Sequence, residues 1–107
     1  MDDARLVRAL KALAHPKRFR MVQEIAAVGE LSCTQLGERF ALSQPTVSHH
    51  LKLLSEAGVL AVRQQAQHHF ISVDRRLLAQ VAAALPTRLA APARPPSAAR
   101  RPRVQRS

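Results

Sequence analysis

The chain has 107 residues, of which 47% are hydrophobic, enough for one compact core and too little for two ordinary domains. Its net charge of +10 favours a polyanionic partner, because lysine and arginine gain free energy by releasing counterions from phosphates. A single cysteine excludes an internal disulfide framework. No apolar run approaches the roughly 18 residues that a membrane helix needs, so we expect a cytoplasmic protein without a membrane-spanning helix.

The first third of the chain predicts two helices. Between Asp3 and Ala14, apolar residues recur at three- and four-residue spacing, as they do on one face of a helix. Pro16 suits the first turn of a second helix, where an N–H has no helical partner, and Gly29 ends that helix. The apolar faces are expected to consist of Leu6, Val7, Leu10, Leu13 and Ala14 in the first helix and of Phe19, Val22, Ile25 and Ala26 in the second.

Two further helices follow with a very short connection. Ser32 and Gln35 have the spacing of a capping box, which opens a short third helix. After residues 41–43 a fourth helix begins, and we expect Ser43 to cap its start and Gly58 to supply the left-handed residue at its end. Two short helices joined by about three residues predict a helix-turn-helix.

A hairpin and a last helix complete the predicted domain. β-branched and aromatic residues on either side of residues 66–67 predict two strands, at 59–65 and 68–73. A hairpin that follows a helix-turn-helix is a wing. Asp74 can cap a last helix that Pro86 is expected to end. The fold class is therefore mainly α with a small β-hairpin, a winged helix-turn-helix.

The composition changes at Pro86. Residues 86–107 contain five prolines, six arginines, no acidic residue and no aromatic residue. Such a segment cannot bury enough apolar surface to offset its ordering entropy. We therefore expect residues 1–85 to form one DNA-binding and dimerisation domain, and residues 86–107 to form a disordered basic tail that adds non-specific affinity.

The fourth helix has one apolar face and one polar face. At about 100° per residue, Val47, Leu51 and Leu54 share the apolar face, while Ser48 and His49 lie opposite. A polar face on a helix is usually only solvated, but here it belongs to a capped helix in a helix-turn-helix of a basic chain, and a short polar face fits a DNA major groove. We expect the DNA-binding residues to be Ser43, Gln44, Pro45, Thr46, Ser48, His49, His50, Lys52 and Arg63.

These residues are expected to differ in role. Gln44, Thr46, Ser48 and His49 are placed near base edges in this prediction, and Lys52 and Arg63 near phosphates. His50 borders the packed face, so a hydrogen bond within the domain or to a nearby phosphate is expected for it.

Four stretches resemble the ArsR family of winged-helix repressors over roughly residues 5–78. They are ALAHPKRFRMV (12–22), GELSCTQLGERF (29–40), SQPTVSHHLKLLSEAGVL (43–60) and HFISV (69–73). The resemblance implies a homodimer joined through the first and last helices, which agrees with their apolar faces. It also implies repression that an effector relieves, although the sequence does not identify an effector. A two-fold dimer would read an inverted repeat with half-sites about one helical turn apart.

The sequence departs from the metal-sensing members of that family. Where those members often carry a cysteine pair in the third helix, this chain has Ser32 and Thr34, with Cys33 between them. After Asp74 it has no histidine for a site in the last helix. Hydroxyl groups do not replace thiolates as ligands for soft metals, so we expect neither a metal nor a cofactor. The wing turn, residues 66–67, is Ala-Gln where many members have Gly-Arg.

Two alternative functions stay open at this point. The first is a metal- or redox-responsive sensor with non-standard ligands, in which Cys33 would need a lowered pKa at a helix N-terminus. Histidine ligands for such a sensor are doubtful, because His68 and His69 are neighbours in a strand and their side chains point to opposite faces. We expect one of the two to be packed and the other to be exposed. His15 is expected to cap or pack at a helix start.

The second alternative is a module that binds nucleic acid or protein through its basic tail. Catalysis is not expected, because Cys33 with a histidine would be the one nucleophile and base available, and no third orienting group is visible.

Overall fold

The computed structural model describes residues 1–90. The helices are α1 (Asp3–Leu13), α2 (Pro16–Val28), α3 (Cys33–Phe40), α4 (Gln44–Glu56) and α5 (Arg75–Leu89), and the strands are β1 (Leu31–Ser32), β2 (Leu60–Gln65) and β3 (His68–Val73). This order confirms the predicted winged helix-turn-helix. Most of the expected basic tail, residues 91–107, lies outside the described residues.

The junction between α1 and α2 is fixed by side chains that bond to backbone groups. His15 precedes α2, and its Nδ1 accepts a hydrogen bond from the Lys17 N–H at 3.1 Å, which confirms its expected role at the helix start. Arg18 donates from Nε to the Ala12 carbonyl at 2.7 Å, at the end of α1 where helical carbonyls lack partners.

The three strands form an antiparallel sheet in the order β1-β3-β2. Leu31 of β1 lies opposite Ile71 of β3, and Arg63 of β2 lies opposite Phe70. The hairpin confirms the predicted wing, and its turn contains Ala66 with φ of 55°. β1 was not predicted from the sequence, because two residues are too few to show the alternation that marks a strand.

The core lies between the five helices and one face of the sheet. Its largest fully buried side chains are Met21, Ile25, Leu31, Leu36, Leu54, Ile71, Val47 and Val59. Three residues assigned to apolar faces are exposed instead: Val7 on α1, Ala14 directly after α1, and Phe19 on α2. On α1 the alanines Ala9 and Ala12 are buried in their place, since small side chains let neighbouring helices approach closely.

The helix-turn-helix is formed by α3 and α4. Ser32 and Gln35 make both hydrogen bonds of the predicted capping box, and Gly58 has the predicted left-handed backbone with φ of +83°. Ser43 occupies the expected N-cap position, and its carbonyl accepts the Val47 N–H at 3.0 Å. It makes no side-chain cap, because its hydroxyl pairs with the Thr46 hydroxyl at 2.9 Å rather than with a backbone N–H.

A close approach between α3 and α4 explains the glycine in α3. A Cβ atom on Gly37 would lie 2.5 Å from Gln44 Nε2 and 3.2 Å from the Leu42 carbonyl oxygen. A larger side chain would therefore push the Gln44 amide away from α3.

The last helix was expected to end at Pro86, but it continues to Leu89. Proline has no N–H to donate to the Ala82 carbonyl, yet the helix resumes through the Ala90 N–H, which donates to the Pro86 carbonyl at 2.8 Å. Arg88 also joins α5 to α1 by an ion pair with Asp3 at 2.9 Å. Among residues 1–90, no helix is both long and apolar enough to cross a membrane.

Candidate nucleic-acid interface

The polar face of α4 is free and its apolar face is buried. Val47, Leu51 and Leu54 are at most 5% exposed, which confirms the predicted packed face. Apart from the partly buried Leu53 and the exposed Glu56 near the end of the helix, the opposite face carries Pro45, Thr46, Ser48, His49 and Lys52, all of them exposed. These short side chains leave the first three turns of the helix accessible to a DNA groove about 12 Å wide.

The start of α4 is held against α3. Gln44 donates from Nε2 to the Cys33 carbonyl at 3.4 Å, so its amide folds back over α3 in this structure. Ser43 and Thr46 bond to each other through their hydroxyls. To contact a base edge, Gln44 would have to exchange its bond to Cys33 for one to the base.

His50 is buried, whereas the other predicted site residues are exposed. It is 9% exposed, and its Nδ1 has no hydrogen-bond partner. The ring lies 5.0 Å from that of His15, between ring centres. Burial lowers the pKa of His50 below its ordinary value of 6.5, and the nearby groups His15, Arg18, His49 and Lys17 lower it further. His50 is thus a packing residue that joins α4 to the start of α2.

The lowered pKa of His50 makes the stability of the domain pH-dependent. The unfolded chain protonates His50 near pH 6.5, whereas the folded chain binds that proton only at a lower pH. The neutral imidazole therefore contributes its full share to the free energy of unfolding above pH 6.5, and this contribution is lost as the pH falls through the pKa of the folded state. We expect the free energy of unfolding to fall by about 1.4 kcal/mol for each unit of pKa difference.

Urea titrations at several pH values between about 8 and 5 measure this effect. His50→Gln should flatten the pH dependence, whereas His68→Gln, on the exposed wing and not among the groups that act on His50, should flatten it much less. An equal pH dependence in the parent protein and His50→Gln would show that His50 is not responsible.

Arg63 on the wing is held by an ion pair that the sequence did not reveal. Its guanidinium donates to both carboxylate oxygens of Glu30, at 2.8 and 3.1 Å, and lies 4.7 Å from the centre of the Phe70 ring. The hydrogen bond between the two side chains raises the pKa of Arg63 and lowers the pKa of Glu30. The partners are 33 residues apart in the chain, and β1 was not predicted, so no local signal marked Glu30.

A cavity of about 230 Å³ separates the wing from α4. It is lined by Cys33, Ser48, Leu51, Lys52, Ser55, Val62, His69 and Ile71. Of the predicted DNA-binding residues, Ser48 and Lys52 of α4 therefore face the wing across this cavity.

Cys33 and the histidines of the wing do not match the sensor alternative. Burial raises the pKa of the Cys33 thiol, the opposite of the lowered pKa that a reactive thiol needs. His68 and His69 are both exposed, so the expectation that one of them is packed was wrong; the hairpin projects beyond the core at that point. Within residues 1–90, no group of three or more His, Cys, Asp or Glu side chains could hold a metal ion.

Comparison with known proteins agrees with this architecture. A family model described as a helix-turn-helix domain matches residues 13–63. The chain is 33% identical over 73 residues to the HTH-type transcriptional regulator YceK of Bacillus subtilis, covering 67% of this chain and 73% of that protein. It is 32% identical over 78 residues to an arsenical resistance operon repressor of Staphylococcus xylosus, covering 73% and 74%.

A solved structure shows the same fold. The crystal structure of a possible transcriptional regulator for arsenical resistance superposes with a TM-score of 0.67 at 32% identity, covering 74% of this chain and 81% of the other. The order of elements, the helix-turn-helix and these relatives lead to one conclusion: the chain belongs to the ArsR family of winged-helix transcriptional regulators.

Proposed function

We propose that this protein is a homodimeric repressor that reads an inverted DNA repeat by inserting α4 of each subunit into a major groove. The observation that supports this most directly is the division of α4 into a fully buried apolar face and a continuous exposed polar face. A helix built in this way can enter a groove without exposing the core. Two relatives are regulators and one of them is an operon repressor, which supports repression.

In this proposal the exposed residues of α4 have different roles in DNA recognition. Ser48 and His49 lie in the middle of the free face and can donate to or accept from base edges. Lys52, one turn after Ser48, is placed for a phosphate at the groove edge. Gln44 and Thr46 would contact bases after they exchange their present hydrogen bonds, whereas the buried His50 contributes by positioning α4.

The wing would contact the DNA backbone through Arg63. Its pair with Glu30 is solvent-exposed, with about half of the arginine side chain accessible, and exposed ion pairs contribute little stability. A phosphate can therefore replace or share the carboxylate partner. The pair holds the guanidinium near the groove edge before DNA arrives, which reduces the ordering entropy of binding.

The dimer interface is proposed on the outer faces of α1 and α5. Val7 on α1 is 47% exposed and Leu89 on α5 is 79% exposed, and a cavity of about 480 Å³ along α1 is lined by Asp3, Ala4, Val7, Arg8 and Lys11. The Arg88–Asp3 ion pair joins the two helices into one surface. This surface combines exposed apolar side chains with the charges of Asp3, Arg8 and Lys11, and it is suited to a second copy of the chain across a two-fold axis.

The effector is proposed to differ from that of arsenical sensors. The two positions at which the resemblance implies a cysteine pair are Ser32 and Thr34. The Ser32 hydroxyl accepts the Gln35 N–H in the capping box, so it serves the helix rather than a ligand. We propose a regulator that does not bind an arsenical at this position.

The double variant Ser48→Ala with His49→Ala tests the reading face. Each specific base contact contributes about 1–3 kcal/mol of discrimination, so the preference for operator over scrambled DNA should fall at least tenfold, with thermal stability unchanged because both side chains are exposed. Fluorescence anisotropy on both duplexes measures it. Gln23→Ala, exposed on α2, is the control. Full discrimination by the double variant would mean that this face does not read the bases.

A further inference from the structure

We propose that a cationic groove between the start of α2 and the end of α3 binds phosphates of the DNA backbone, on the side of α4 that lies away from the wing. The proposal rests on the proposed function, because it assumes that α4 enters the major groove. The groove has a volume of about 310 Å³ and is lined by Pro16, Lys17, Arg20, Arg39 and Phe40.

The charge of this groove is positive. Lys17 and Arg20 are exposed and lie three residues apart, on the same face of α2. Arg39, on α3, pairs with Glu24, one turn after Arg20. Within residues 1–90, neither Lys17 nor Arg20 has an ion-pair partner. The groove therefore presents three cations against one carboxylate, and two of the cations are available to a phosphate.

The position of the groove relative to α4 indicates which part of the DNA it would meet. His15, at the start of α2, packs against His50 of α4 with 5.0 Å between ring centres, and Lys17 is close enough to lower the pKa of His50. Ser48 and Lys52 face the wing, and His50, two residues after Ser48, lies on the opposite side of the helix. The wing and the cationic groove thus flank α4 on its two sides.

A helix in the major groove has a phosphate backbone on each side of it. If Lys52 and Arg63 contact one strand, Lys17 and Arg20 are placed to contact the other strand. Phosphate contacts fix the register of a protein on the duplex without reading its sequence. The inference is that Lys17 and Arg20 contribute affinity and register, and no base discrimination.

The test is the double variant Lys17→Gln with Arg20→Gln in the full chain, measured by fluorescence anisotropy over a series of salt concentrations. The probes are a duplex from upstream of the protein's own gene and a scrambled duplex. Each phosphate contact contributes about 0.9 to the slope of log affinity against log salt, so the slope should become shallower by up to about 1.8 per subunit. Affinity for both duplexes should fall by a similar factor, and the preference between them should stay.

Two controls separate this result from a general loss of charge or of structure. Arg5→Gln with Arg76→Gln removes two exposed charges on α1 and α5 and should change the slope much less. Lys17→Arg with Arg20→Lys keeps the charges and should keep the parent slope. Thermal unfolding, monitored by circular dichroism, verifies that the variants fold.

The outcomes also separate this inference from the proposed function. A double variant with the parent slope, or with the same change as the control pair, would overturn the phosphate contact, and so would a selective loss of preference for the upstream duplex. Equal binding of both duplexes by the parent protein would instead contradict the proposed function.

Discussion

Leu54→Ala is expected to lower the free energy of unfolding by about 2–5 kcal/mol. Leu54 is fully buried, with 0% exposure, on the packed face of α4, and alanine would leave a cavity that the surrounding side chains can fill only in part. A domain of this size is stable by about 5–15 kcal/mol, so the loss is a large fraction of the total. Because Leu54 anchors the proposed reading helix, DNA affinity should fall with stability.

Urea unfolding followed by circular dichroism measures the change. Leu53→Ala removes the same atoms from the neighbouring position, which is only partly buried, and should have a smaller effect. If the two variants lost equal stability, α4 would not pack through the face described above.

Val7→Glu is expected to weaken dimerisation at least a hundredfold. At the proposed two-fold interface the substitution would bury one carboxylate from each subunit. Lys11 lies one turn away, but an ion pair does not fully offset the desolvation of a buried carboxylate, which costs several kcal/mol, and about 2.7 kcal/mol already correspond to a hundredfold change. Sedimentation velocity over a range of concentrations measures the dissociation constant. DNA affinity should fall as well, since a monomer can occupy one half-site only.

Val28→Glu is the matched control, because Val28 is 49% exposed at the end of α2, against 47% for Val7. It introduces the same side chain at a similar exposure on α2 rather than on α1 or α5. A dimer that tolerates Val7→Glu as well as Val28→Glu would place the interface elsewhere.

Local signals in the sequence were sufficient for most of the fold. The capping box of Ser32 and Gln35, the left-handed Gly58 and the hairpin around residues 66–67 each depend on a few neighbouring residues, so the pattern and the structure agree. The buried and exposed faces of α4 followed from helical periodicity alone. Family resemblance then assigned the function class to this arrangement.

The features that the sequence did not predict depend on distant parts of the chain. The strand β1 exists because Leu31 and Ser32 pair with Ile71 and Phe70, and the Arg63–Glu30 pair follows from that pairing. Val7 is apolar and lies at helical spacing from other apolar residues of α1, yet it is exposed. Helical spacing shows which residues share a face, and not which face meets the core. Val7 is also the residue on which the proposed dimer interface depends.

The central claim, sequence-specific DNA binding by α4, is tested most directly by fluorescence anisotropy of the full chain on DNA from upstream of its own gene and on a scrambled duplex, at one stated salt concentration. We predict a preference of about a thousandfold or more for the upstream DNA, as is typical of specific over non-specific binding. Equal and strongly salt-dependent binding of both duplexes would contradict the claim and show that charge alone drives association with this DNA.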